Sequence, residues 1–296
     1  MPHGGDVAPD GIHLPSPMAA LPVGAGFGSL VHAVLEEADA QAADLLAELR
    51  ANIEEQIVRW PVPDLDRDDL AAALVQVIDT PLGPLAAGTT LRDVGAGDRL
   101  CEMDFELPLG GGDRARADDG TAPQAVLGDL ATLMRQHLPA DDPVLPFADV
   151  LDEPTLGGQS LRGYLTGSVD IVLRVGRRHL VVDYKTNWLG PVDTPLTTAH
   201  YDRSALRAAM NHSSYPLQAI LYGVVLHRFL RWRQPGYDPD VHFGGVLYLY
   251  LRGMAGTSTP VLDGHPTGVF SWQPPIALIE GVSDLLDGAS HPKEHG

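Results

Sequence analysis

Residues 163–188 read Gly-Tyr-Leu-Thr-Gly-Ser-Val-Asp-Ile-Val-Leu-Arg-Val-Gly-Arg-Arg-His-Leu-Val-Val-Asp-Tyr-Lys-Thr-Asn-Trp. Val169, Ile171, Val172, Leu173 and Val175 make one apolar run, and Leu180, Val181 and Val182 make a second. Gly176-Arg177-Arg178 stands between them. Runs rich in β-branched residues on either side of a short Gly-containing turn predict a β-hairpin. Each strand carries one acid in an apolar context, Asp170 and Asp183. A carboxylate inside a buried strand is costly unless it is paired or binds a metal.

Asp183 and Lys185 lie at i and i+2 and therefore share a strand face. Two carboxylates supply hard oxygen ligands for Mg²⁺ while leaving positions for water and a phosphate oxygen. An ammonium group on the same face can orient or deprotonate the attacking water. As a bare pattern Asp…Asp-x-Lys is loose, and the strand context gives it weight. Lysine usage adds to it: lysine stands only at 185 and 293, against eighteen arginines. Lys293 is in the C-terminal tail. Lysine can shift its pKa and act as a compact donor or base where arginine cannot.

At 296 residues the chain is long enough to bury a full core. Its net charge of −19 is unevenly placed. Residues 1–150 hold 26 acids and 8 basic residues, a balance of −18, whereas residues 151–296 stand at −1. Phosphate neutralisation supplies most nonspecific DNA affinity, so this composition argues against a free-standing DNA-binding protein. It is compatible with a chain whose bound metals and partner chains provide the positive field. Cys101 is the single cysteine, so no internal disulfide or thiolate zinc site is possible, which fits a reducing cytoplasm. No signal-peptide pattern or apolar run of membrane-spanning length is evident.

Residues 1–26, rich in Gly, Pro, Ala and His, read as a linker or disordered lead-in. Phe27 to Trp60 predicts a helix with Ser29 as N-cap and His32 in its first turn. From spacing alone His32 is an ordinary surface or capping histidine. Asp64 to Thr80 predicts a second helix, acidic at its start as the dipole favours, and Pro81 to Gly88 ends it. Residues 100–107 alternate: Cys101, Met103, Phe105 and Leu107 point one way, and Glu102, Asp104 and Glu106 the other. That is a half-buried strand whose acids sit on a solvated face. A Gly/Asp/Arg loop over 110–121, a helix over 124–137 and an irregular, Pro-interrupted connection over 139–151 lead into the hairpin.

Beyond it, residues 188–196 predict a loop, 197–210 a helix, and 215–232 a long apolar helix with Pro216 in its first turn. Gln218 and Tyr222 share a face of that helix. Spacing alone is as consistent with a buried tyrosine and an incidental glutamine as with a functional pair. The basic end, His227 to Arg233, reads as a dipole-favoured terminus, with a DNA or partner contact as the alternative. Residues 241–252 predict a continuous apolar strand, 253–269 a loop and 274–286 a last helix. The fold class expected is α/β, a mixed central sheet with strands near 100–107, 168–175, 179–185 and 243–251, flanked by helices.

Gly163-Tyr-Leu-Thr-Gly-Ser-Val-Asp170 followed by Asp183-Tyr-Lys-Thr-Asn187-Trp-Leu-Gly190 resembles the C-terminal nuclease domains of RecB-type helicase–nucleases, within the PD-(D/E)xK superfamily. The resemblance runs from about Phe27 to Leu286. It implies a restriction-endonuclease-like core (96–288) behind an N-terminal helical cap (27–95), with 289–296 as a tail. Gly-Ser-Leu-Val-His32 matches the family's Gly-x-x-x-His helix start, which implies His32 as a metal ligand with Asp170, Asp183 and the Tyr184 carbonyl. It implies Asp170, Asp183, Lys185 and Glu102 as catalytic residues, and Gln218, Tyr222 and Asn187 at the DNA. The cofactor implied is Mg²⁺, with Mn²⁺ as a substitute. The substrate implied is DNA, as single-stranded ends or as duplex fed by a helicase, with RecC- and RecD-like subunits or an attached helicase as partners and no membrane. No Gly-x-x-x-x-Gly-Lys-Ser/Thr motif is present, so the expectation is a domain-sized piece of a recombination enzyme. The alternatives are a stand-alone phage or mobile-element nuclease, or an inactive module of the same fold.

Overall fold

The computed structural model describes residues 12–110 and 125–287. Helices α1 (Ala25–Glu37), α2 (Leu45–Gln56) and α3 (Arg67–Ile78) come first. They are followed by β1 (Arg99–Leu109), α4 (Leu127–His137), α5 (Phe147–Leu151), α6 (Pro154–Gly157), β2 (Gly163–Val175) and β3 (Arg178–Lys185). Then come α7 (Arg203–Asn211), α8 (Tyr215–Arg233), α9 (Pro239–His242), β4 (Phe243–Tyr250), β5 (Val261–Leu262), β6 (His265–Pro266), β7 (Val269–Trp272) and α10 (Ile276–Leu286). One mixed, five-stranded sheet has the order β1-β2-β3-β4-β7, and β5 pairs with β6 in a small antiparallel ribbon.

The hairpin is where the sequence puts it. β2 and β3 are neighbours joined through Gly176 and Arg177, and Gly176 takes φ +61°, a left-handed conformation that glycine adopts without steric cost. β4 is buried at every position, as a continuous apolar run inside a sheet should be. The fifth strand, β7, falls within and just beyond the stretch expected to be loop. Its four residues are too few to show a period, and it is set up by the backbone. Tyr250 N–H donates to the Gly268 carbonyl (2.7 Å), and Gly268 sits at φ +77°.

The described residues fall into two compact units. The first takes in residues 12–100, Val182–Ala208 and Leu247–Ser271. Here α1 packs on α2 and α2 on α3, burying Leu30, Val34, Leu49, Ile53, Leu70 and Leu74. The single helix expected over 27–60 is in fact α1 and α2. Ala38 is extended (φ −65°, ψ 133°), and the Asp44 carboxylate caps the new helix by accepting from Ala47 N–H (3.0 Å). Asp is a better N-cap than helix interior, and that local competition beats the apolar period. The start also moves: α1 follows Gly24, so Ser29 lies inside the helix and His32 is its eighth residue. The lead-in differs as well. Residues 12–24 form no helix, yet Ile12, Met18 and Leu21 are buried. Ser16 N–H donates to Leu196 O (3.0 Å) and Thr198 N–H to Leu14 O (2.9 Å). Burying a large apolar side chain is worth about 1.5–3 kcal/mol, enough for three of them to order a Gly/Pro-rich segment. The part of that stretch before residue 12 lies outside the described residues.

The second unit takes in residues 101–110, 125–181, Ala209–Val246 and residues 272–287. α10 packs on α8 and on α4, with Ile220, Val224, Ile279 and Val282 buried. At Gly223 a Cβ would stand 2.9 Å from Ile279 Cδ1, so the helices meet where a side chain is missing. Arg228, in the basic end of α8, donates to Ser283 Oγ (2.9 Å), Ser283 O (2.6 Å) and Asp287 Oδ1 (2.8 Å). The expected irregular connection over 139–151 ends in α5. The helix expected over 197–210 divides into a 3₁₀ turn, Thr198–Tyr201, and α7. The Gly/Asp/Arg loop beyond Gly110 and the tail after Asp287 lie outside the described residues. Among the described residues no helix is long and apolar enough to cross a membrane.

Candidate active site

In the first unit, β3 ends in Asp183-Tyr184-Lys185. Asp183 is 2% exposed, and the Lys185 Nζ forms an ion pair with its Oδ2 from a side chain only 12% exposed. The i, i+2 spacing places both groups on one face, as the sequence requires. On the neighbouring strand β4, the Tyr248 ring centroid lies 5.2 Å from the Lys185 Nζ, so the ammonium is held by a carboxylate and by an aromatic face together. Tyr184 points to the other side of the strand and is buried. The half-buried His32 ring meets it edge to face, with centroids 5.8 Å apart at 89°. His32 is thus a mid-helix residue pressed on β3, neither a cap nor a surface histidine. Asn187 is exposed just past β3, and its carbonyl accepts from the Tyr201 hydroxyl (2.9 Å), which in turn accepts from Leu189 N–H (3.2 Å). Burial pushes the Tyr201 pKa up to about 12, so it stays a phenol that clips the loop.

In the second unit, Asp170 is half-buried on β2. Two residues before it, the Ser168 carbonyl accepts from the Tyr222 hydroxyl (2.6 Å), and that hydroxyl accepts from Gln218 Nε2 (2.9 Å). The pair on α8 is therefore a relay that fixes β2, and Tyr222 is buried while doing so. Phe105 of β1 packs its ring edge-on against Tyr222 (6.0 Å, 83°). A Cβ on Gly167 would stand 2.8 Å from Phe105 Cζ, which is why glycine precedes Ser168. Glu102 is exposed on β1, and its backbone is left-handed at φ +43°. A non-glycine residue held there stores about 1–3 kcal/mol.

The structure thus joins Asp183 to Lys185, His32 to Tyr184, and Gln218 to Tyr222 to β2. Among the described residues, no three His, Cys, Asp or Glu side chains are gathered into a group that could hold a metal ion. Three participants escape sequence reasoning: Tyr248, Tyr201 and Arg252, whose Nε donates to the Thr186 carbonyl just past Lys185 (2.9 Å). Arg252 was the one with a visible signal, a lone cation closing a continuous apolar run.

A family model for the PD-(D/E)XK nuclease superfamily matches residues 11–262. The chain belongs to the PD-(D/E)XK nuclease superfamily. Nucleases of this superfamily generally use divalent metal ions. The chain is 58% identical over 282 residues to the RecBCD enzyme subunit RecB of Mycolicibacterium smegmatis, covering 95% of this chain and 26% of that protein. It is 57% identical over 282 residues to RecB of Mycobacterium tuberculosis (94% and 25%) and 34% identical over 218 residues to RecB of Escherichia coli (73% and 15%). The chain therefore spans about a quarter of the length of its mycobacterial relatives. The matched span takes in Asp170 and Asp183-Tyr184-Lys185.

Proposed function

We propose that this chain is the nuclease domain of a RecB-type helicase–nuclease, hydrolysing DNA phosphodiester bonds with a divalent ion, Mg²⁺ or Mn²⁺, in double-strand-break repair. The observation that carries the reading is the buried Asp183–Lys185 pair at the end of β3. A fold does not bury a charged pair for stability alone, since an apolar pair of similar volume is often as stable. The donors that the resemblance assigns to such an ion, the carboxylates of Asp170 and Asp183, the imidazole of His32 and the Tyr184 carbonyl with Glu102 assisting, are of the hard type it takes, although among the described residues no three of the side chains are gathered into one group. When bound, the ion supplies positive charge against the developing charge on the phosphate oxygens.

The chain's own groups do the rest. Lys185 Nζ, confined between the Asp183 carboxylate and the Tyr248 ring, has few directions left for its protons and points them at the attacking water. Tyr222 holds β2, and with it Asp170, through the Ser168 carbonyl. Gln218 and Asn187 contact the strand being cut, and RecC- and RecD-like partners or an attached helicase deliver it. The test is digestion of linear single- and double-stranded DNA with and without Mg²⁺. Asp183→Ala should abolish cleavage in a folded protein, and Lys185→Arg should lose most of it despite the retained charge. Cleavage by Asp183→Ala at the parent rate would refute the proposal.

A further inference from the structure

The basic end of α8 takes no part in the site described above. In a chain with 39 acids, none stands between Asp170 and Asp183 or between Asp202 and Asp238. Those acid-free stretches include the turn after β2 and the C-terminal end of α8, both in the second unit. Towards its start, α8 is bonded to β2 through the Tyr222 hydroxyl and Ser168 O. Towards its end, His227 Nδ1 lies 3.1 Å from the Tyr237 hydroxyl. The Tyr237 ring lies against His242, with centroids 5.9 Å apart, and His242 Nε2 accepts from Arg177 Nη2 in the turn (3.4 Å). α8 is thus laid along β2, and its basic end is tied to the turn.

Arg177, Arg178, Arg231 and Arg233 are all exposed here. Among the described residues no carboxylate pairs with any of the four. Acids do stand near the stack: the charges of Asp238 and Glu280 reach Tyr237, and that of Asp284 reaches His227. Trp232 is 77% exposed, and the Arg233 guanidinium carbon lies 5.0 Å from its ring centroid. A single exposed apolar residue needs no ligand. An indole flanked by two unpaired arginines offers two chemistries at once. An acidic peptide would engage the arginines and leave the indole idle, and an apolar partner would do the reverse. A nucleic-acid single strand uses both, its phosphates on the guanidinium groups and a base on the aromatic face. The turn begins about 17 Å beyond Asp170 along β2, at about 3.3 Å per residue. Trp232 lies about 21 Å beyond Gln218 along α8, at about 1.5 Å per residue. The surface is therefore separate from the residues assigned to cleavage.

We propose that this end of the second unit is a contact for single-stranded DNA, with Trp232 stacking on a base and the four arginines neutralising phosphates. The choice of DNA rests on the nuclease reading above. The test is fluorescence anisotropy of a labelled oligothymidylate in EDTA, where nothing is cut, over a range of salt, with thermal melts as the check of folding. Trp232→Ala should weaken binding about tenfold. The Arg231→Gln/Arg233→Gln and Arg177→Gln/Arg178→Gln pairs should each flatten the slope of log K against log salt by about 1.4 units, two phosphates' worth. Arg50→Gln, whose arginine is engaged by Asp68, should change neither. Should the Arg177 variant unfold, Arg178→Gln alone decides for the turn, at about 0.7 units. Parent-like affinity and slope in the folded Trp232→Ala and Arg231→Gln/Arg233→Gln variants overturn this inference and leave the nuclease reading to the Asp183→Ala digestion. An arginine effect without a tryptophan effect, with poly-glutamate competing as well as unlabelled oligothymidylate, assigns the surface to an acidic protein segment and overturns it too. Tighter binding of oligouridylate overturns the choice of DNA. If the parent chain cuts no DNA and these variants still lose oligothymidylate binding, the nuclease reading falls and the contact stands.

Discussion

Replacing Lys185 by Met isolates the ion pair on which the site is built. Asp183 is 2% exposed and the Lys185 side chain 12%, so water cannot take over when the ammonium is removed. Breaking a buried pair by removing one partner costs about 3–5 kcal/mol, whereas removing both charges together is close to neutral. In metal-free buffer, Lys185→Met should therefore lose about 3 kcal/mol of unfolding free energy. Asp183→Asn should lose a comparable amount, and the double variant much less than the two losses combined. Urea denaturation followed by tryptophan fluorescence gives all four corners of the cycle, with the midpoint shift read at constant slope. The Tyr248 contact complicates only the lysine arm, at about 0.5–2 kcal/mol, and is measured by Tyr248→Leu. A loss below about 1 kcal/mol for Lys185→Met, or strict additivity in the double variant, would refute the claim of a desolvated, coupled pair, since such values belong to exposed pairs.

Tyr222→Phe removes the donor to Ser168 O and the acceptor for Gln218 and should cost about 1–3 kcal/mol. It should also lower cleavage at saturating DNA, and parent-like stability and rate would show that the relay is idle. Gly167→Ala forces a Cβ to 2.8 Å from Phe105 and should cost about 1–3 kcal/mol. Adding Phe105→Leu should recover most of that loss in the same denaturation assay. His227 is buried, with Nδ1 3.1 Å from the Tyr237 hydroxyl. Burial lowers its pKa, and Arg231 and Arg228 add to this while Asp284 opposes. Its folded pKa thus lies below the unfolded value, so the unfolded chain binds the proton more readily. Stability is fully present above the unfolded value, about 6.5, and falls as pH drops through it. His227→Gln should flatten that slope between pH 7 and pH 5 in thermal melts, and an unchanged slope would assign it to other groups.

What the sequence made legible follows from signal length. β2 and β3 are long and rich in β-branched residues, β4 is a continuous apolar run, and α8 has its Pro at the start, so their placement needed only local rules. The (D/E)xK face relation is a consequence of strand period alone. What was hidden is non-local. β7 is four residues long, and its place depends on a carbonyl presented by Gly268. Residues 12–24 read as lead-in because Gly and Pro dominate the count, while Ile12, Met18 and Leu21 decide the packing. The Ala38 break depended on which of two rules won, apolar period or aspartate capping. Arg252 was in plain view, but its partners are carbonyls more than 60 residues away, and carbonyls leave no mark in a sequence. Gln218 and Tyr222 show a pairing the spacing allowed, yet their hydrogen bonds run to β2, which spacing cannot reveal.

The placement of arginine sets how this chain can meet a polyanion. Arg252 is consumed by carbonyls, and Arg228 is held by Ser283 and Asp287. Arg135 bridges Asp149 and Asp152, Arg92 pairs with Asp79, Arg50 with Asp68 and Arg67 with Glu54. Arg252 aside, each of these cations is already paired with a carboxylate of the fold, and residues 1–150 carry a balance of −18. Affinity for DNA grows with the number of phosphates neutralised, and each contact contributes about one unit to the salt slope. With six of its eighteen arginines so engaged and an acidic balance, the chain should bind weakly, with a shallow slope, and rely on delivery by a tethered motor, where effective concentration replaces affinity. A fluorescent oligonucleotide titrated in Ca²⁺ at physiological salt should give micromolar or weaker binding, with preference for single-stranded ends. Nanomolar duplex binding with a steep salt slope would show that the ion pairs open for DNA and that no motor is needed.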